Sequence, residues 1–145
     1  MPLQYRGGSV IIGEYISIHE DPTNMQGVRE VIKSGKFISS KTQVPNLRLT
    51  KSDFWLRFSL KNLSKEKYLL LTLDYPTLDL CEFYFPKNDY FHVTKLSDNY
   101  PFYQRKYKHQ NFIFDLDIPS GQVKTYYLRV RSSEQMVLPL VVGTP

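Results

Sequence analysis

Two short runs of the chain, residues 54–60 and 126–131, alternate strictly between apolar and polar positions. This period of two is typical of β-strands that bury one face, because successive side chains point to opposite sides of a sheet. The other face carries aromatic and arginine side chains, so the pattern favours an antiparallel sheet with a surface suited to binding more than to catalysis. The side chains on that face are Trp55, Arg57 and Ser59 in the first run and Tyr127, Arg129 and Arg131 in the second.

Further strands are predicted at about ten-residue spacing, with turn signals between them, as in a β-sandwich or barrel. We expect residues 54–61 to form a hairpin with 68–74, and 123–131 to return antiparallel after a turn at 119–121. Pro139 predicts that the last run is an edge strand, because proline cannot donate to a ladder. The additional strands are expected at residues 15–18, 68–74, 78–85, 90–94, 110–118 and 136–142.

One short helix is predicted near the N-terminus, from about residue 24 to 33. Thr23 and Gln26 have the spacing of a capping box, and Gly35 is placed to end the helix. Met25, Val28 and Ile32 share one helical face. We expect that apolar face to cover the core.

The composition supports one β-rich domain over residues 1–145, with 41% hydrophobic residues, eleven Tyr and nine Phe. The net charge is +5, and its densest basic cluster is residues 105–109. Such a cluster can contact single-stranded nucleic acid, but no nucleic-acid-binding motif accompanies it, so we interpret it as a solvated loop. The single cysteine, Cys81, lies in an apolar run and is predicted to be a buried small hydrophobe.

Catalysis is not indicated. The three histidines lie in separate segments without metal-ligand spacing, and no nucleophile-elbow motif is present. Asp115 and Asp117 would need a partner carboxyl across a cleft to act as a glycosidase pair. No compact Asp/Asn loop supports a calcium site. We therefore expect a binding protein with no metal or cofactor.

No run reaches the ~20 apolar residues that span a membrane, and residues 1–13 do not resemble a signal peptide. The chain stops directly after a strand-like run, which suggests a piece excised from a longer protein.

From Trp55 onward the chain resembles a known family. It is the second type of extracellular sensor domain of bacterial seven-transmembrane receptors with diverse intracellular signalling modules. The resemblance continues to about Leu140, and the segment from Gly8 through the predicted helix is similar with less specificity. The matching positions are 54–62, Asp79, Tyr84, Pro101, Phe102, Arg105, Asn111, Phe112, Leu116, Pro119, Gly121, 127–129, Pro139 and Leu140.

The resemblance implies an antiparallel jelly-roll β-sandwich on the outer side of the cytoplasmic membrane. In the full-length receptor the domain would precede a seven-helix membrane region and a cytoplasmic signalling module. The family is similar to carbohydrate-binding modules, which implies a sugar ligand. The chain has neither the membrane helices nor the output module, so it cannot signal alone.

Sugar rings stack on aromatic faces, and their hydroxyls pair with planar donors and acceptors. A ligand-binding site is therefore predicted on the non-core strand faces. The open alternative is that Arg57 and Arg129 form cross-strand ion pairs and that Trp55 packs beneath the helix. A second function is also open, a protein-interaction or dimerisation module, because interfaces use the same residue types. The predicted ligand-binding residues are Trp55, Arg57, Glu82, Tyr84, Arg105, Asn111, Tyr127 and Arg129.

Overall fold

The strands and helices are taken from a computed structural model, which describes residues 2–47, 50–73, 78–96, 112–132 and 136–145. Strands account for most of the regular structure. They are β1 (Leu3–Tyr5), β2 (Val10–Ile11), β3 (Ser17–Asp21), β4 (Ile38–Ser39), β5 (Asn46–Leu47), β6 (Asp53–Asn62), β7 (Tyr68–Leu73), β8 (Leu80–Lys87), β9 (Tyr90–Leu96), β10 (Phe112–Asp117), β11 (Val123–Arg131), β12 (Met136–Val137) and β13 (Leu140–Gly143). A 3₁₀ turn (Gly13–Tyr15) and one helix, α1 (Val28–Ser34), complete the described elements.

The strands form two main sheets. The first sheet has seven strands in the order β4-β3-β6-β11-β8-β9, with β1 pairing with β6 in parallel. The second sheet has four strands in the order β10-β7-β13-β2, and β5 pairs with β12 separately. The other pairings are antiparallel, which confirms the prediction of a mainly β, antiparallel fold. The jelly-roll topology stays a prediction.

The core lies between the two sheets and is made by the apolar face of each strand. Phe83 of the first sheet stacks on Phe114 of the second, with ring centroids 4.9 Å apart. Tyr126 stacks on Phe58 within the first sheet at 5.3 Å. Cys81 is fully buried in the same core, as predicted. The period-two patterns therefore assigned the inward faces correctly.

Both predicted hairpins are wrong, because each connection crosses from one sheet to the other. Strand β6 belongs to the first sheet, whereas β7 pairs with β10 and β13 in the second. Likewise β10 lies in the second sheet, and the turn at 119–121 leads to β11 in the first. An alternating pattern specifies which face of a strand is buried, but it does not specify which strand lies beside it.

A buried asparagine, Asn62, bonds to both of these connections, the one from β6 to β7 and the one from β10 to β11. The Asn62 side-chain amide donates to the Glu66 carbonyl (2.6 Å) and the Ile118 carbonyl (2.8 Å). Its Oδ1 accepts from the Ser64 amide (3.0 Å) and hydroxyl (2.7 Å). The Gly121 amide donates to the Asn62 carbonyl, and Gly121 has a φ of 87° that favours glycine. One polar side chain thus satisfies backbone groups of both connections, which stabilises the crossing geometry.

The C-terminal run is not one edge strand, as had been predicted from Pro139. Pro139 lies between β12 and β13, so the predicted run is divided into two short strands. Strand β13 is interior, since it pairs with β7 on one side and β2 on the other. The predicted strand at 15–18 is also displaced, because Tyr15 ends the 3₁₀ turn and β3 starts at Ser17.

Helix α1 follows three strands, so it is not N-terminal, and it begins four residues later than predicted. The buried Asp21 carboxylate accepts bonds from the Thr23 amide (3.0 Å), the Thr23 hydroxyl (2.6 Å) and the Gln26 amide (3.0 Å). These bonds hold the preceding segment in a turn, so the helix starts only after Gly27. The predicted end at Gly35 is confirmed.

Candidate functional site

An aromatic cluster lies on the face of the first sheet that points away from the core. Trp55 of β6, Tyr84 of β8 and Tyr127 of β11 contact one another there, and the Trp55 and Tyr84 rings are 5.3 Å apart. Val31 of α1 packs on this cluster and is itself buried, and the half-buried Phe37 packs beside it. Trp55 is 0% exposed. The aromatic side chains of this non-core face are therefore covered by α1 and the segment after it, which is the alternative that the sequence left open for Trp55.

A charged network adjoins the aromatic cluster. Asp53, at the start of β6, is fully buried, and Arg131 donates to it from Nε (2.6 Å) and Nη2 (3.1 Å). Arg129 donates to Asp53 Oδ2 from Nε (2.7 Å) and lies 3.4 Å from Glu82 Oε1 through Nη1. The Arg129 guanidinium also lies over the Trp55 ring, 5.5 Å from its centroid. We call Asp53, Glu82, Arg129 and Arg131, together with the aromatic cluster, the outer-face cluster.

The outer-face cluster is connected to the turn before α1. Arg129 Nη2 donates to the Asn24 carbonyl at 2.8 Å. Asn24 has a φ of 60° in the turn that Asp21 holds. The segment entering α1 is therefore bonded to the sheet by Arg129, while Val31 packs on the sheet through apolar contact.

Electrostatics keep the arginine charged and the tyrosine neutral. Burial by itself would lower the pKa of Arg129, but its bond to Asp53 and the charges of Asp53 and Glu82 raise it. The pKa of Tyr84 is strongly raised, first by burial and then by Glu82, whose carboxylate accepts a hydrogen bond from the Tyr84 hydroxyl at 2.8 Å. The network thus places the guanidinium groups of Arg129 and Arg131 against the buried carboxylates of Asp53 and Glu82. The exposed Lys95 ammonium group also lies 3.6 Å from Glu82.

Arg57 differs from the rest of the predicted set. Its guanidinium lies over the Phe37 ring, 4.4 Å from the centroid, and the side chain is only half-buried. Arg129 is half-buried as well, but its guanidinium pairs with Asp53 and Glu82, whereas no ion pair of Arg57 is found among the described residues.

The structure brings most of the predicted ligand residues together, but two lie outside the described residues. Trp55, Arg57, Glu82, Tyr84, Tyr127 and Arg129 share the outer face of the first sheet. Arg105 and Asn111 lie in the part of the chain that the structure does not describe. The cross-strand ion pair considered for Arg129 and Glu82 is present, and Trp55 packs beneath the helix. Whether any of these residues binds a ligand stays a prediction.

Sequence reasoning missed Asp53 and Phe37. Asp53 is in phase with Trp55 and Arg57 along β6, so extending the alternation by two residues would have placed it on the same face. No local pattern signals Phe37, because its contact with Arg57 forms across separate elements.

Within the described ranges, no group of three His, Cys, Asp or Glu side chains could hold a metal ion. The described helix, α1, is too short to cross a membrane.

Two packed sheets, with a short helix over the outer face of the first, define a β-sandwich. The chain matches the family 7TMR-DISM extracellular 2 over residues 13–144, and it belongs to that family. This family is an extracellular or periplasmic domain of seven-transmembrane receptors, so the chain acts outside the cytoplasm. The family and the location predicted from the sequence are thereby confirmed. A search of curated proteins gave no match.

Proposed function

We propose that this chain is the ligand-sensing domain of a bacterial membrane receptor and that its ligand is a carbohydrate or another polar small molecule. The observation that carries the proposal is the family match over residues 13–144. In the full receptor its partners are the membrane region and a cytoplasmic signalling module. The packed sandwich supports a sensory role, because a rigid scaffold holds recognition groups in place with little ordering cost.

The predicted outer-face residues enter this proposal in two ways. Arg57 is accessible beside Phe37 and can donate to a ligand hydroxyl directly. Trp55, Tyr84 and Tyr127 are buried, so a ligand would contact them only after α1 moved away. Arg57 is therefore the residue whose substitution tests this face with the least disturbance of folding.

The test is a glycan array followed by calorimetry on the whole chain. We expect at least one neutral glycan to bind, and Arg57→Ala reports whether the outer face contributes. Lys51→Ala is the matched control, because Lys51 is also basic and is exposed two residues before β6, the strand that carries Arg57. A folded wild-type chain that binds no glycan or small polyol in either assay would contradict the carbohydrate proposal.

A dimerisation role is the second candidate. Apolar side chains in and around α1 are exposed: Met25 at 83%, Ile32 at 47% and Ile38 at 71%. Exposed apolar residues concentrated in one segment are typical of association surfaces. Sedimentation equilibrium would test this function: a concentration-dependent dimer that Ile32→Ser abolishes supports it, and a monomer at every concentration contradicts it.

A further inference from the structure

A cleft opens at the edge where the two sheets end side by side. Strand β9 is the last strand of the first sheet, and β10 is the last strand of the second. Between them lies a cavity of about 380 Å³. We call it the edge cleft. Those of its lining residues that the structure describes come from β8, β9 and β10, and none of these belongs to the outer-face cluster.

The inner wall of the edge cleft is aromatic. Phe83 and Phe114 stack across the two sheets, and Phe85 is half-buried beside them. The ammonium group of Lys124 lies 4.7 Å from the Phe85 ring centroid and that of Lys87 lies 5.5 Å from it. Phe83 and Phe114 are buried, so Phe85 is the ring of this wall that a ligand can reach. A sugar ring that packs its axial hydrogens on Phe85 would displace the Lys124 or Lys87 ammonium group.

A buried hydroxyl lies behind this wall. The Tyr126 ring is 5.5 Å from Phe83 and 5.8 Å from Phe85, and the residue is 0% exposed. Its hydroxyl has no hydrogen-bond partner among the described residues. Burial and the negative charge of Asp117 raise its pKa, so it remains a neutral donor. The wall of the cleft is therefore not a fully satisfied core surface.

The rim of the edge cleft is polar and carries both signs of charge. The opening is lined by Asp115 and Asp117 of β10, by Lys87 of β8 and by His92 and Thr94 of β9. The Asp117 carboxylate also lies 3.7 Å from the Lys67 ammonium group. Carboxylates accept hydrogen bonds from ligand hydroxyls, and ammonium groups and imidazole N–H groups donate hydrogen bonds to them. Nearly balanced charges do not favour a strongly anionic or cationic ligand. The cavity volume lies within the range of about 300–1,000 Å³ that is usual for small-molecule sites.

From this geometry we infer that the edge cleft is the ligand site and that it takes a neutral mono- or disaccharide, its ring stacked on Phe85 and its hydroxyls held by the rim. The inference rests on the proposed sensing function and specifies its site. It assigns the outer-face cluster a structural role.

The experiment uses calorimetry on the whole chain with neutral mono- and disaccharides as probes. Phe85→Ala and His92→Ala remove the platform and a rim donor, and Thr94→Tyr fills the cavity. We expect each to weaken binding about tenfold or more, the effect of losing one good stacking or hydrogen-bonding contact. Tyr90→Ala is the matched control, because Tyr90 is an exposed aromatic residue of the same strand outside the cleft.

The outcomes separate this inference from the function on which it rests. Binding that survives all three cleft variants but is lost in Arg57→Ala overturns the edge cleft and leaves carbohydrate sensing intact. A wild-type chain that binds no saccharide overturns both. Because Phe85→Ala removes part of the wall, thermal melting checks its fold, while His92→Ala and Thr94→Tyr test the cleft at its rim.

Discussion

The outer-face cluster and the edge cleft are built from the same residue types, aromatic side chains beside charged ones, yet they differ in what covers them. In the outer-face cluster, α1 covers Trp55, and Asp53 is enclosed between two arginines. In the edge cleft, the charged residues surround an opening of about 380 Å³. The comparison teaches that the same residue types can form a closed surface or border a cavity, depending on which elements pack over them.

Trp55→Ala should give the largest effect. Removing a fully buried tryptophan leaves a cavity between the first sheet and α1, so we expect a loss of about 4 kcal/mol in the free energy of unfolding. Chemical denaturation measures it, with Tyr68→Ala as the control because Tyr68 is an exposed aromatic of β7. A loss below about 1 kcal/mol would mean that the cluster is loosely packed and accessible.

Asp53→Asn should give the second-largest loss in the free energy of unfolding. It removes the buried carboxylate that accepts bonds from Arg129 and Arg131, so two guanidinium groups lose their central partner. We expect a loss of about 3 kcal/mol in the free energy of unfolding. Glu14→Gln, at an exposed carboxylate, should change it by less than about 0.5 kcal/mol. Equal effects of the two variants would show that the network does not support the fold.

The turn before α1 should make the free energy of unfolding depend on pH in the acid range. Burial alone would raise the pKa of Asp21, but bonds from Thr23 and Gln26 and the charge of Arg129 lower it below its ordinary 3.8. A depressed folded-state pKa stabilises the protein above the unfolded-state value, and this contribution is lost as pH falls through the folded-state value. The free energy of unfolding, measured by chemical denaturation between pH 6 and 2, should therefore fall less with decreasing pH in Asp21→Asn than in the wild-type chain. An identical acid dependence in both proteins would refute the turn's role.

The smallest effect on stability is expected at the edge cleft. His92 is exposed and Thr94 is half-buried, so His92→Ala and Thr94→Val should change the free energy of unfolding by no more than about 0.5 kcal/mol. The same two residues are expected to matter for ligand binding, which is the reverse of the expectation for Asp53. A large loss of stability in either cleft variant would remove the contrast between the two regions.

Much of the fold was predictable from local pattern. The inward faces of β6, β8, β10 and β11 follow from period-two alternation, since a strand must present its apolar side chains to one side. Gly35 ended the helix as predicted, and a Cβ at this position would collide with the carbonyl oxygen of Val31. The start of α1 was misplaced because Asp21, a residue outside the helical pattern, holds the turn that delays it.

By itself the sequence determined the family, the antiparallel β class and the face on which each alternating run is buried. These properties depend on the order of side chains along single strands and on motif spacing. Only the tertiary structure decided which strands are neighbours, that α1 covers Trp55 and that β9 and β10 border a cleft. Each of these results from contacts between segments distant in sequence, such as Arg129 with Asn24 and Phe83 with Phe114. The pattern of side chains along one strand does not specify such contacts, because several strand arrangements bury the same faces.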